Sequence, residues 1–361
     1  MIFNYFPAWS KKGKSYLSGA IKIGGWLILL WLPGMLLSLA NKPVVRAFHL
    51  QGYAQGTTYH ITYYAADSVI RQQSIDSLLN TIDSSLSLYK PYSLISRFNA
   101  SVAGVTMDSH MKKVVAKSFE IYEDTRGVFD VTVQPLVEAW GFSARATEGL
   151  PDSSRIKALL KCVGTGKLHI KGDSLGKEIP CLRIDLNGIA QGYSVDVIAS
   201  FFRRNLIKDF LIELGGEIVV SGRKQPGGEK MSVAIEAPGY EGFGPPVFQK
   251  IVYLDGGALT TSGNYRKFYE SNSRKINHLI DPFTGYSFQN ELISVTVWAK
   301  DALTTDGYDN ALMGMGLKKA LDFVEAKKEM EAYFIYTLPD GTIKDTATRG
   351  FYDLCGGNVV P

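Results

Sequence analysis

The sequence predicts an α+β fold, and three observations carry that prediction. Runs with helical spacing alternate irregularly with runs rich in β-branched and aromatic residues, without the regular βαβ order of a parallel sheet. No repeat of fixed period and no long linker interrupts them. Hydrophobic residues make up 45% of the 361-residue chain and charged residues 20%, which suits a packed core in one large domain or two intimate ones.

The elements follow in order. Residues 46–64 (RAFHLQGYAQGTTYHITYY) set β-branched and aromatic residues around a Gly-rich middle, predicting a strand pair or a strand with a bulge. Residues 75–89 carry Ile75, Leu78, Leu79, Ile82 and Leu86 at helical spacing. A second helix is expected over 112–126, and a third over 150–161 with Pro151 near its first turn. Residues 181–185 read as a short strand, followed by the loop LNGIAQGY and a helix over SVDVIASFFRRNL. Strands are expected at 210–214 and 217–221, flanking Gly215-Gly216, and again at 231–236, 250–254 and 294–299. Helix signals return over about 304–326, then a strand at 332–336. Residues 146–177 are the most turn-prone stretch and read as a place for an insertion.

Ahead of this, residues 26–40 (WLILLWLPGMLLSLA) form an apolar run behind Lys11, Lys12, Lys14 and Lys22. A positive flank before an apolar run is the pattern of a secretory signal or an uncleaved anchor, so export of the remainder is expected. Ser38-Leu39-Ala40 offers a small-x-small cleavage site, and no cysteine follows to support a lipid anchor. Residues 1–43 are thus read as an address and 44–361 as the folded part. The net charge of +4 and the lack of an arginine-rich stripe give no argument for nucleic acid. The three cysteines, Cys162, Cys181 and Cys355, show no CxxC or Cys/His spacing. Either Cys162 and Cys181 pair in an oxidising compartment, or all three are small buried apolar residues.

Four motifs carry candidate chemistry. In DLNGIAQGYSVD (185–196), Gly188 and Gly192 bracket Ala190 between a strand and a helix. That is either a phosphate-binding helix entry or a tight turn. In ALTTDGYDNALMGMG (302–316), Asp306, Asp309 and Asn310 at i, i+3 and i+4 share a helix face. Oxygen donors without histidine or thiolate suit a hard cation such as Mg²⁺, whereas the plainer reading is a favourable helix dipole and a solvated Asp309. In NHLIDPFTG (277–285), Asp281-Pro282 starts a turn and Thr284-Gly285 closes it, with His278 just before as either a structural residue or a proton acceptor. In GVFDVTVQPLVEAWGF (127–142), Asp130 lies among apolar neighbours and needs a partner, either backbone or a ligand's ring nitrogen.

Together these segments resemble the ApbE family. FDVTVQPLVEAWGF is similar to its FDPTVGPLVxxWGF segment and DLNGIAQGYSVD to DLGGIAKGYAVD. IELGGEIVVSG resembles its strand–GG–strand element, and ALTTSGNYRKFYE and NHLIDPFTG resemble TSGxYxRxF and HIIDPxTG. SVTVWAKDALTTDGYDNALMGMG resembles the closing SVTVxAxxAxxADxxxTALxxxG, so the likeness runs from about Ala47 to near Phe351. The resemblance implies an architecture related to tunnelling folds, with antiparallel sheets, flanking helices and FAD in a cleft between two halves. It implies Mg²⁺ held by Asp306, Asp309, Asn310 and the backbone carbonyl of Ala190. Asn310 stands where the family usually has threonine, and Gln191 where it has lysine. It implies FAD contacts from Gln55, Tyr89, Val128, Phe129, Asp130, Asn187, Tyr193 and Ile280. His278 takes the place of the catalytic base, and Ser262, Tyr265 and Asp281 shape the site. The implied reaction is Mg-dependent transfer of FMN from FAD to a Thr or Ser hydroxyl, releasing AMP. Its acceptors are subunits of membrane redox complexes such as sodium-pumping quinone reductase, on the periplasmic face of the bacterial inner membrane. Two other activities fit the same motifs: an FAD pyrophosphatase using water, and a non-catalytic flavin carrier.

Overall fold

A computed structural model describes residues 44–143, 149–238, 248–264, 268–271 and 274–356. The apolar run at 26–40 and Tyr265 lie outside these residues. Among those described, no helix is long and apolar enough to cross a membrane.

Residues 46–64 fold as the expected pair. Strands β1 (Arg46–Ala54) and β2 (Thr57–Ala65) meet through Gln55-Gly56, whose φ angles of 53° and 79° suit a two-residue type I′ turn. They begin an eight-stranded antiparallel sheet completed by β3 (Asp209–Leu214), β4 (Glu217–Ser221), β5 (Gly256–Gly263), β6 (Leu292–Ala299), β7 (Glu331–Thr337) and β8 (Ile343–Ala347). Their order in space is their order in the chain. The longest interruption comes between β2 and β3, where residues 66–208 intervene.

Side chains alternate across the sheet, so neighbouring residues enter different cores. Val219 and Ala258 join Tyr59, Ile61 and Tyr63 against the helices α1 (Gln72–Leu86) and α3 (Ala190–Arg204). Val220 and Leu259 face the other way, onto a hairpin of Met231–Glu236 and Phe248–Leu254. A third core gathers α2 (Ser109–Asp124) and α4 (Ala302–Met315). α4 is buried nearly all round, and so rests on β5, β6, α2 and α3 together.

Two expectations need correction, and two gain detail. The helix expected to begin at Ser194 begins at Ala190, which brings Gly192 into its first turn. The helix signals over 304–326 resolve into two helices, α4 and Leu317–Glu325, separated at Gly316 with a φ of 74°. Residues 181–185 join no sheet. The carboxamide of Asn99 instead bonds both backbone groups of Ile184, at 2.8 and 2.9 Å, and so takes the place of a strand partner. Pro151 stands just before the N-cap Asp152 of helix Ser153–Leu160, near its first turn as expected. Cys162 and Cys181 form a disulfide with Cα atoms 5.5 Å apart, and Cys355 is free.

Candidate active site

α4 is started by two aspartates. Asp301 accepts the N–H of Thr304 at 2.9 Å, and the two oxygens of Asp196 on α3 accept those of Ala302 and Leu303 at 3.0 and 2.8 Å. Asp196 thereby sets α3 and its entry loop antiparallel to α4. Residue 196 lies level with 302, Gly192 with Asp306 and Gly188 with Asn310. Only glycine fits at 192, because a Cβ there would stand 2.2 Å from the Ala302 carbonyl oxygen and 2.7 Å from Asp306 Cβ.

The i, i+3, i+4 spacing places Asp306, Asp309 and Asn310 on the α4 face so enclosed. Asp306 Oδ2 accepts the Gly192 N–H at 2.8 Å, and Asp309 Oδ2 accepts the Thr260 hydroxyl of β5 at 2.8 Å. Asn310 donates from Nδ2 to Asp309 Oδ1 (2.9 Å), to the Asp306 carbonyl (2.9 Å) and to the Gly188 carbonyl (3.2 Å). Its Oδ1 accepts the Ser262 hydroxyl at 3.1 Å. This carboxamide thus ties α4 to the 187–189 loop and to β5.

Asp306 and Asp309 are 4% and 2% exposed. Burial pushes Asp306 up to about 7; the Gly192 N–H pulls it back, and the charge of Asp196 adds to the push. Asp309 is raised well above the carboxylate range, by burial first and then by the charge of Asp306. Among the described residues, no lysine or arginine pairs with either carboxylate. Nor do three His, Cys, Asp or Glu side chains gather at one point. Two buried carboxylates and a carboxamide, with no cationic side chain to neutralise them, fit a hard divalent cation. The Ala190 carbonyl, expected to complete the set, lies in the first turn of α3 and accepts the Ser194 hydroxyl at 2.9 Å.

Asp130 is differently engaged. It caps the turn Val131–Val133, and its Oδ1 accepts the Thr132 N–H at 2.8 Å, the Thr132 hydroxyl at 2.5 Å and the Thr165 hydroxyl at 2.8 Å. Its Oδ2 accepts the Thr165 N–H at 3.1 Å. Of the two partners the sequence left open for Asp130, its own chain supplies four donors.

The 277–287 segment rests on the same motif. Trp140 Nε1 donates to the Gly285 carbonyl at 2.7 Å, and Asp281 closes its turn by accepting the Phe283 N–H and the Thr284 hydroxyl, both at 2.8 Å. Ile280 is buried and bridges to Ser287. His278 is half-buried, its ring edge-on to Phe142 at 6.3 Å. Val128 and Phe288 both crowd Gly314, where a Cβ would lie 2.8 and 2.7 Å from them, so this region meets the far end of α4. Phe129 is buried in the core that also holds Ile189 and Tyr308.

The other expected contacts stand on separate loops. Tyr193 joins its hydroxyl to His110 Nδ1 at 2.8 Å, and the Asn187 N–H donates to Asp185 at 2.8 Å. Gln55 occupies the β1–β2 hairpin tip and hydrogen-bonds Asp83, whose carboxyl burial pushes up. Tyr89 is 62% exposed. Among the described residues, Gln55 and Tyr89 share no hydrogen bond with the α4 face. Sequence reading assigned no role to Thr260, Asp196 or Thr165. Asp196 ends a quoted motif and Thr260 lies in ALTTSG, so both were marked, but their partners lie 106 and 49 residues away.

Residues 55–334 match the ApbE family. The chain is 34% identical to the FAD:protein FMN transferase of Vibrio cholerae, over 90% of this chain and 97% of that one. It is 31% identical to the Haemophilus influenzae protein of the same name, over 87% and 94%. Among solved structures, the flavin transferase ApbE of Vibrio cholerae superposes with a TM-score of 0.77 at 32% identity, covering 86% of this chain and 99% of that one. The apo flavinyl transferase ApbE of Pseudomonas stutzeri gives 0.78 at 33%, covering 86% and 98%.

Proposed function

This chain belongs to the ApbE family, and from that premise we propose that it joins FMN from FAD to a Thr or Ser hydroxyl of an acceptor protein with the help of magnesium. It is an FAD:protein FMN transferase. The observation that carries the magnesium reading is the buried pair Asp306 and Asp309, on one face of α4 and within each other's electrostatic field, with no cationic partner among the described residues.

Asp306, Asp309, Asn310 and the Ala190 carbonyl are the oxygens that would hold the ion. When bound, magnesium supplies positive charge to the pyrophosphate oxygens. Residues 187–193, the entry loop and first turn of α3, position the phosphates by backbone contacts. Val128, Phe129, Asp130, Asn187, Tyr193 and Ile280 line the FAD site, with Gln55 and Tyr89 on the neighbouring loops. His278 takes the proton of the acceptor hydroxyl. The hydroxyl oxygen bonds to the FMN phosphorus, the bond from that phosphorus to the bridging oxygen breaks, and AMP carries that oxygen away.

The lysine-flanked run at 26–40 supports export to the periplasmic face of the inner membrane, and the Cys162–Cys181 disulfide suits an oxidising compartment. Acceptors there are subunits of membrane redox complexes, sodium-pumping quinone reductase among them.

The test mixes the protein with FAD, Mg²⁺ and an acceptor domain bearing a Thr-containing flavinylation motif. Intact mass and in-gel flavin fluorescence are read. A covalent FMN gain that vanishes with EDTA and falls at least about a hundredfold in His278→Ala is expected. Free FMN and AMP without acceptor labelling would reassign the chain as a pyrophosphatase, and tight FAD binding without turnover as a carrier.

A further inference from the structure

The end of the sheet where β1 begins carries a surface that the reaction does not use. Arg46 stands opposite Ala65, and Tyr64 pairs with Asp209, so Arg46 and Lys208 lie at one end of three adjacent strands. α3 finishes at that end with Arg203 and Arg204, and α1 is entered there through Arg71. All five cations are exposed. The acids on the same loops are Asp67 and Asp209, and Asp209 is already engaged by the Arg223 N–H at 2.9 Å and the Gln225 carboxamide at 3.2 Å.

Two aliphatic side chains stand among these cations. Ile70 and Ile207 are buried in one shared core, while their chain neighbours Val69 and Leu206 are 55% and 84% exposed. Leu206 holds a φ of 61°, a conformation that disfavours a bulky residue, although solvent exposure brings it no burial in return. Exposed aliphatic tips flanked along the chain by arginine and lysine match the interface of an anionic bilayer. There the cations meet phosphates and the tips reach the acyl boundary. The apolar run at 26–40 ends six residues before Arg46, at most about 20 Å of extended chain, so an anchor there keeps a bilayer within reach of this end.

We propose that this end of the sheet docks on an anionic phospholipid surface. α3 runs from Ala190 at the α4 face to Arg204 at the patch, about 21 Å of helix. Docking at the Arg204 end therefore leaves the Ala190 end, and with it the active face, clear of the headgroups. The proposal rests on the export reading only for which membrane is met.

The full chain is reconstituted with phosphatidylglycerol or phosphatidylcholine vesicles. It carries a spin label at Leu206→Cys or at Asp340→Cys, in the turn after β7 at the opposite end of the sheet, both in a Cys355→Ser background. On phosphatidylglycerol the label at 206 is expected to lose several-fold in accessibility to a water-soluble relaxant and to gain in accessibility to oxygen, and the label at 340 is not. Arg203→Glu/Arg204→Glu/Lys208→Glu, checked by thermal melting, should return position 206 to water in a chain that still floats with the vesicles. Equal water accessibility at both labels in a floating chain overturns the docking surface and leaves the anchor standing. Flotation that needs anionic lipid, with position 206 immersed, upholds the surface even where the anchor fails. No flotation on either lipid overturns both.

Discussion

Asp130 and Asp306 are both nearly buried carboxylates, 7% and 4% exposed, yet they are solvated in opposite ways. Asp130 receives four donors from its own turn and from Thr165. Asp306 receives one, from Gly192, and lies in the field of a second buried carboxylate, Asp309. The first is a finished structural knot. The second is a concentration of negative charge that the described fold leaves without a counter-charge, which is what a cation site requires. Burial alone therefore does not mark a cation-binding carboxylate; the donors already supplied to it matter as well.

The largest effect expected from this contrast is at Asp306. Asp306→Asn keeps size and the Gly192 contact but should lower FMN transfer by about two to three orders of magnitude, and Mg²⁺ should no longer raise Tm. Asp130→Ala should cost about 2–4 kcal/mol in denaturant unfolding, because it strands the donors of Thr132 and Thr165 in a buried loop. A variant at 130 that melts like the wild type, or one whose Mg²⁺-induced rise in Tm is lost, would erase the distinction between the two carboxylates. A smaller effect belongs to Asp196, pushed up to about 6 chiefly by burial. Against an unfolded value near 3.9, the folded chain binds more protons between about pH 4 and 6, so its stability is highest below that window and falls as pH rises through it. Asp196→Asn should flatten this slope, a difference of about 1–2 kcal/mol after allowance for partial exposure. Least is expected of Asn310→Thr, which removes donors to Asp309 and the Gly188 carbonyl. It should lower Tm by the equivalent of about 1 kcal/mol without metal, and by less with Mg²⁺ present.

Strands with plain alternation, such as β3, and helices with a clear apolar stripe, such as α1, were legible because burial on one face writes its period into the sequence. β5 was not, since GGALTTSG mixes glycine and hydroxyl residues that here pack against the acidic helix face. The split at Gly316 was not legible, because apolar periodicity continues across it while the backbone turns. Within the site, the shared face of Asp306, Asp309 and Asn310 followed from spacing alone. Their partners Gly192, Thr260 and Ser262 did not, because nothing local ties residue 192 or 260 to residue 306 or 309.

The sheet's strand order has a consequence for how the chain is assembled. Seven junctions separate eight strands that follow one another in chain order, and the longest, residues 66–208, must be gathered before β2 can meet β3. Closing so long a loop costs little more in free energy than closing a short one, about 0.6 kcal/mol per doubling. Its toll is on speed, because contacts of wide sequence separation form late. The β1–β2 hairpin is thus expected to dock last, with β3 to β8 acting as the template. Until it does, β3 exposes an unpaired edge open to aberrant pairing with another copy.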